Sequence, residues 1–249
     1  MNNSVTVVIP AFNEADNLEK LILSLAQTFE NLGCVFPVLL IDDGSTDRSL
    51  EILDCMRKKH SFLKVVRHPK RSGVTEVWKT ALTHVNTELI FWGQADLETD
   101  PCVDIPLLLS AWKPGVDVVA GWRQGRGDGK LVVSKFANRV CRFVFGLQVN
   151  DMNWVKLIRR DLLSEQLLDR ATHRYFLAVL AGQGCKITEV PTPWYPRYSG
   201  KSKFGPSRII SSALDFAKLL VWWVIQQVRP IKGIPNKSLT TIVGDRSSR

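Results

Sequence analysis

The chain lacks a long unbroken apolar run. The longest near its end, Leu219–Ile225, falls far short of the roughly 20 residues a spanning helix needs, and extending it upstream meets Lys218 and Asp215. It also lacks paired cysteines. Cys34, Cys55, Cys102, Cys141 and Cys185 are odd in number and scattered, with no CxxC spacing, which argues against a disulfide framework or zinc site and for a reducing compartment. Histidine is scarce, and His60, His68, His84 and His173 show no metal spacing. No GxSxG or Cys/His nucleophile pattern occurs. A Walker phosphate loop ending at Gly200-Lys201-Ser202 would need glycine at 195, where Tyr195 stands. The N-terminus has no basic segment followed by an apolar stretch and cleavage site, so no signal peptide is expected. No internal repeat or low-complexity block appears.

What is present is the composition of a folded protein: 249 residues, 45% hydrophobic and 23% charged, enough chain for a substantial core. The net charge of +9 is unevenly spread. Residues 1–122 carry 11 basic and 16 acidic side chains; residues 123–249 carry 22 basic and 8 acidic. That asymmetry points to an anionic partner handled mainly by the second half. No nucleic-acid-binding module accompanies the charge, so nucleic acid is not the expected partner.

Val5–Pro10 is a short apolar run closed by proline and reads as a buried parallel strand. Helical spacing follows over Asn13–Glu30, with Leu18, Leu21, Ile22 and Leu25 on one face. Val35–Ile41 reads as a second strand, and Ser45 or Thr46 as the cap of the next helix. Strands at Leu63–Val66, Leu89–Trp92 and Val116–Gly121 alternate with helices at Val74–Val85 and after Pro101. This order predicts an α/β fold with a mainly parallel sheet covered on both faces, and ligands outside the carboxyl ends of its strands. Beyond residue 123 the pattern predicts helices over Leu131–Phe145 and Thr172–Ala181, a strand at Lys186–Val190 and a polar loop over Pro191–Pro206. A long helix at Ser207–Val228 and a tail from Arg229, disordered in its last part, complete the reading. The whole reads as one domain over 1–228 with a tail over 229–249.

Five motifs stand in order along this frame: VVIPAFNEADNL, LIDDGSTDRS, FWGQADLETDP, AGWR and VPTPWYPRYSGKSK. Together they resemble the family-2 nucleotide-sugar glycosyltransferases. More narrowly, they resemble the branch of dolichol-phosphate mannosyltransferases and polyprenyl-phosphate glycosyltransferases, over roughly residues 4–220. The resemblance implies a GT-A-like, Rossmann-like fold with a C-terminal amphipathic helix. It assigns residues 1–122 to the nucleotide-sugar and 123–228 to the acceptor.

It also implies a site. Gln94, Asp96 and Glu98 offer oxygens at alternate positions of one segment, which on an extended chain face the same way and suit Mg2+ or Mn2+. The family usually has Asp-x-Asp at the first two of these positions and often Gln at the last; here Gln94 comes first and Glu98 last. Asp42 and Asp43 match nucleoside-binding acids, though DDGSTD is also good turn-and-cap chemistry and the two roles are compatible. Pro10, Phe12 and Glu14 match the first nucleotide-contacting loop, and Ile41, Arg71 and Ala95 join the expected nucleotide-sugar contacts. Arg123, Arg197 and Lys203 match basic residues used for phosphate groups. Asp151 matches an acid considered for aligning or activating the acceptor, so Asp96, Asp151 and Arg197 are the expected catalytic residues. The stretch Met152–Lys156 lacks the family's usual Gly-aromatic pair, and Gly73–Trp78 replaces smaller residues common in that helix.

The activity so implied is inverting transfer of a sugar from a GDP- or UDP-sugar to a polyprenyl phosphate by a cytoplasmic protein peripheral to the membrane. Alternatives are transfer to a glycan hydroxyl, with Asp151 as base, and a non-catalytic nucleotide-binding subunit. Lys130, Lys135, Arg139 and Arg142 punctuate the apolar Leu131–Phe145 segment as on an interfacial helix. Trp222 and Trp223 suit either headgroup depth or packing on the core or on a membrane partner subunit.

Overall fold

The computed structural model describes residues 4–125, 139–199 and 206–228, with side chains of the last segment described over 212–225. Lys130, Lys135, Lys203 and the expected tail lie outside the described residues.

Seven strands form one sheet in the order β3-β2-β1-β4-β6-β5-β7. They are β1 (Val5–Ala11), β2 (Val38–Asp42), β3 (Leu63–Arg67), β4 (Leu89–Trp92), β5 (Val118–Gln124), β6 (Lys156–Arg159) and β7 (Ile187–Pro193). All run parallel except β6, which lies antiparallel between β4 and β5. Between the strands run α1 (Ala15–Leu32), α2 (Ser49–Lys59), α3 (Val74–His84) and α4 (Pro101–Ala111); α5 (Glu165–Gly182) precedes β7 and α6 (Pro206–Val228) follows it. Residues 139–145 are also helical.

Strand alternation divides the core. Val5, Val7 and Ile9 of β1 face one apolar cluster with Leu18, Leu21 and Ile22 of α1 and Ile105 and Leu108 of α4. Val8 faces the opposite cluster with Trp78 of α3, Phe176 of α5 and Leu219 of α6. Helices thus cover both faces, as the alternating pattern predicts. Among the described residues no helix is long and apolar enough to cross a membrane.

Four local expectations need correction. Neither Ser45 nor Thr46 caps α2: that helix begins at Ser49, and the Ser45 hydroxyl instead accepts the Asn13 amide at 2.8 Å, tying the turns after β1 and β2 together. β6 escapes the alternating pattern, because Lys156 interrupts its apolar run and an antiparallel insertion has no crossover helix to announce it. β7 runs on through Pro191 and Pro193, which an edge strand tolerates because one side needs no ladder donors. Thr172 is a break within α5, with φ at 55°, and its hydroxyl accepts the Arg174 amide; the helix extends back beyond it to Glu165.

Candidate active site

Because β1, β2, β4, β5 and β7 are parallel, the segments after each of them meet at one edge of the sheet. The antiparallel β6 brings its leading loop, residues 150–155, to the same edge, since Lys156 pairs with Trp92 and Ala120. Asp43, Asp96, Asp151 and Arg197 lie on these segments, and Arg123 lies at the end of β5 itself.

At the β1–β2 end, Asp42 is fully buried, accepts the Ser45 amide at 3.3 Å and lies 3.5 Å from the Arg67 guanidinium. The carboxylate of Asp43 accepts the Ser72 and Gly73 amides, each at 2.8 Å, and His68 Nδ1 lies 2.8 Å from it. Gly44, at φ 72°, lets the backbone of Lys70 and Arg71 approach so closely that a Cβ would sit 2.5 Å from it. Asp43 and Gly44 therefore clamp the loop after β3. That loop sets the Arg71 guanidinium 4.4 Å above the Phe12 ring, a flat cationic surface at the mouth of the site. The turn role read from DDGSTD is present. Ile41 and Ala95 are buried in the core, Pro10 is half-buried in β1, and the Glu14 carboxylate accepts the side-chain amide of Asn17 at 2.7 Å.

In the centre, the segment after β4 is not extended. Leu97 has φ 56°, so the alternate-position rule does not apply to Gln94, Asp96 and Glu98. Two carboxylates converge all the same, by that left-handed turn: Arg197 Nη2 lies 2.8 Å from Asp96 and Arg197 Nε 2.7 Å from Glu98. Glu98 further accepts the Trp194 indole N–H at 3.3 Å, and its carbonyl accepts the Tyr195 amide at 3.0 Å. Gln94 instead lines a small cavity with Thr99 and Asp104. Burial, with the charges of Glu98 and Glu14 adding to it, pushes Asp96 up to about 6 although Arg197 acts the other way.

This arrangement is a fair fit for a divalent cation. Two hard carboxylate oxygens already meet at one positive group, the Arg197 guanidinium. Among the described residues no three His, Cys, Asp or Glu side chains gather as a ready-made cage. A partial protein set completed by phosphate and water oxygens is the habit of Mg2+.

At the β5–β6 end, Arg123 grips Asp151 with two hydrogen bonds, Nε at 2.5 Å and Nη2 at 3.0 Å. The guanidinium also stacks 4.6 Å over Trp154, whose N–H donates to Thr192 at 2.9 Å. Gly121 makes room for that indole, since a Cβ there would meet Trp154 at 2.9 Å. Glu189 accepts the Asn150 and Asp151 amides at 2.7 and 3.0 Å. Sequence reasoning missed His68, Trp194, Glu189 and Lys156 here. Only Lys156 left a signal, a lone charge inside the apolar run Trp154–Ile158.

A mostly parallel α/β sheet with acids and guanidinium groups gathered on its carboxyl edge defines a GT-A-type protein. The chain belongs to glycosyl transferase family 2, whose sequence model matches residues 6–162. It is 29% identical over 220 residues to the undecaprenyl-phosphate 4-deoxy-4-formamido-L-arabinose transferase of Edwardsiella ictaluri (strain 93-146), spanning 87% of this chain and 67% of that one. Among solved structures it superposes on mannosyl-3-phosphoglycerate synthase from Rubrobacter xylanophilus with TM-score 0.65 and 15% identity, over 95% of this chain and 78% of that one. Glucosyl-3-phosphoglycerate synthase from Mycobacterium tuberculosis, in complex with Mn2+, uridine diphosphate and glucosyl-3-phosphoglycerate, superposes with TM-score 0.63 and 18% identity, over 93% and 82%. These structures share the fold.

Proposed function

We propose that the protein is an inverting glycosyltransferase moving a sugar from a GDP- or UDP-sugar to a polyprenyl, dolichyl-type phosphate at the cytoplasmic face of a membrane. The carrying observation is the Arg123–Asp151 pair. Both oxygens of Asp151 are taken by one guanidinium. That leaves Asp151 poorly placed to accept a proton from a glycan hydroxyl, the rival acceptor, while it aligns Arg123 for an anion. A lipid monophosphate loses its second proton near pH ~6 and is largely a dianion at neutral pH. It needs positioning and charge neutralisation rather than a base. The relative named for an undecaprenyl-phosphate transferase supports this acceptor, and the neighbour holding uridine diphosphate and Mn2+ supports a nucleotide donor.

Residues 1–122 take the nucleotide-sugar and 123–228 the acceptor, in one domain. Pro10, Phe12, Glu14, Asp42, Asp43 and Arg71 form the nucleoside end, backed from the core by Ile41 and Ala95. Asp96 and Glu98 would hold Mg2+ or Mn2+, which when bound supplies positive charge for the diphosphate, while Gln94, turned to the cavity beside Thr99 and Asp104, stands apart from them. Arg197 turns from the two carboxylates to the departing diphosphate, joined by Lys203. The phosphate oxygen attacks the anomeric carbon as its bond to the diphosphate breaks, so the configuration inverts and no covalent enzyme intermediate forms. Contact with the bilayer is made by an apolar stripe on α6, where Leu214, Val221, Val224 and Ile225 are all exposed.

The test is transfer from a panel of GDP- and UDP-sugars to undecaprenyl or dolichyl phosphate with Mg2+ or Mn2+, with the product's anomeric configuration read by NMR. Inverted sugar phosphate is expected. Retained configuration, or transfer only to hydroxyl acceptors, overturns the proposal.

A further inference from the structure

Lys156 is the first residue of β6, between Trp92 and Ala120 of the neighbouring strands, and is only 3% exposed. An ammonium carries three donors, and burying it with few partners is costly. The one side-chain hydrogen bond of Lys156 among the described residues goes from Nζ to the Trp154 carbonyl at 2.7 Å, with the Phe176 ring 5.7 Å away. A stability role accounts poorly for such a choice, since methionine would fill the same space without the charge. Its neighbours give a better account. Lys156 fixes the residue whose indole carries Arg123, and it shares the electrostatic environment of both Arg123 and Asp151. Arg123 and Asp151 cancel as a pair; Lys156 leaves this end of the site with a surplus positive charge that water does not screen.

We propose that Lys156 is a positioning residue for the acceptor phosphate, holding Trp154 and with it Arg123 in place and adding an unscreened positive charge behind the Arg123–Asp151 pair. This rests on the phosphate-acceptor reading above. Burial pushes the ammonium down to about 8, Asp151 opposing and Arg123 assisting; among the described residues those two are the charged groups that act on it, while α5 presents Phe176 and β4 presents Trp92. Affinity for a phosphate should therefore fall as pH rises through this range. The ligand does not share in the change, being already a dianion above pH ~7.

The experiment measures binding of farnesyl monophosphate, a short prenyl phosphate, by calorimetry at pH 7 and pH 9.5. Wild type and the Lys156→Met and Lys156→Arg variants are compared, with thermal unfolding of each. Wild type should bind several-fold more weakly at pH 9.5. Lys156→Met should bind about tenfold more weakly at pH 7, the scale of one lost charge-assisted contact, with no further loss at pH 9.5 and no fall in melting temperature. Lys156→Arg, whose charge does not titrate, should abolish the pH effect and keeps the test decisive if the methionine variant misfolds. Wild-type affinity that is flat with pH, or a methionine variant that binds like wild type, overturns the role of Lys156 and leaves the acceptor reading standing. Wild type that neither binds farnesyl phosphate nor glycosylates a longer polyprenyl phosphate overturns that reading and this inference with it.

Discussion

A carboxyl enclosed like that of Asp104, with one oxygen accepting the Asp100 amide at 3.1 Å and the other without a partner among the described residues, holds its proton tightly. Burial pushes it up to about 7, and the nearby charge of Asp100 acts the same way. The residue steadies the entry to α4, where Asp100 in turn accepts the Cys102 amide, immediately after the acidic segment of the site. Its effect on stability has a definite sign. Between pH ~4 and ~7 the unfolded chain releases this proton while the folded one keeps it, so the folded state binds more protons and stability falls as pH rises. Asp96, raised to about 6, adds a fall of the same sign over a narrower window. Asp104→Asn should therefore flatten the decline, by an amount on the order of a few kcal/mol at most. Urea unfolding at pH 4.5 and 7.5 measures it, and identical pH slopes for the two proteins would refute it.

At the scale of elements, the segment after β7 ties the second half of the chain to the acidic loop and first helix of the first half. Trp194 and Arg197 reach Glu98, Ser199 donates to Asp16 at 2.9 Å, and Lys20 lies 4.2 Å over the Tyr198 ring. Arg197 and a divalent cation want the same oxygens. Replacing Arg197 with methionine should accordingly raise Mn2+ affinity measured by electron paramagnetic resonance without nucleotide. It should also speed hydrogen exchange over 194–199 and lower turnover by about a hundredfold, the usual loss for one group that stabilises developing charge. Unchanged Mn2+ affinity together with unchanged exchange would show that the guanidinium does not guard those carboxylates.

This segment also marks how far the chain could be read in advance. Alternating apolar runs and helical stripes express local periodicity, so the parallel frame and the edge that gathers polar residues were legible. Arg197 meeting Glu98 across 99 residues, or Asp43 holding the amides of Ser72 and Gly73, is a product of tertiary packing that no spacing encodes. β6 was hidden for the related reason that its strand character comes from two neighbours brought to it by the fold. The acids and arginines of the candidate site were expected from the motifs, but the left-handed Leu97 that aims two of them at one guanidinium was not.

The whole molecule joins an acidic first half to a basic second half whose outer helix is strongly apolar. Helix α6 docks on α5 through Leu219, through Tyr175 bonded to the Ser212 hydroxyl at 2.7 Å, and through the Arg174–Asp215 pair. Trp223 packs on Phe145 and against Gly182, so it serves the core rather than the headgroups. The outward stripe is instead Leu214, Val221, Val224 and Ile225, at 57%, 63%, 60% and 51% exposure, with Lys218 among them; Phe143, 92% exposed, stands beside exposed Arg142. An apolar face bordered by cations is the pattern of a helix lying on anionic lipid. The double change Val221→Glu and Val224→Glu should lower binding to phosphatidylglycerol-containing vesicles at least about tenfold. The melting temperature should stay unchanged, because neither side chain is buried in the free protein. Wild-type binding should weaken with added salt, as attraction between surface charges is screened. Vesicle co-sedimentation in low and high NaCl reads both effects. Equal sedimentation of the two proteins would mean that α6 turns this stripe toward something other than a bilayer.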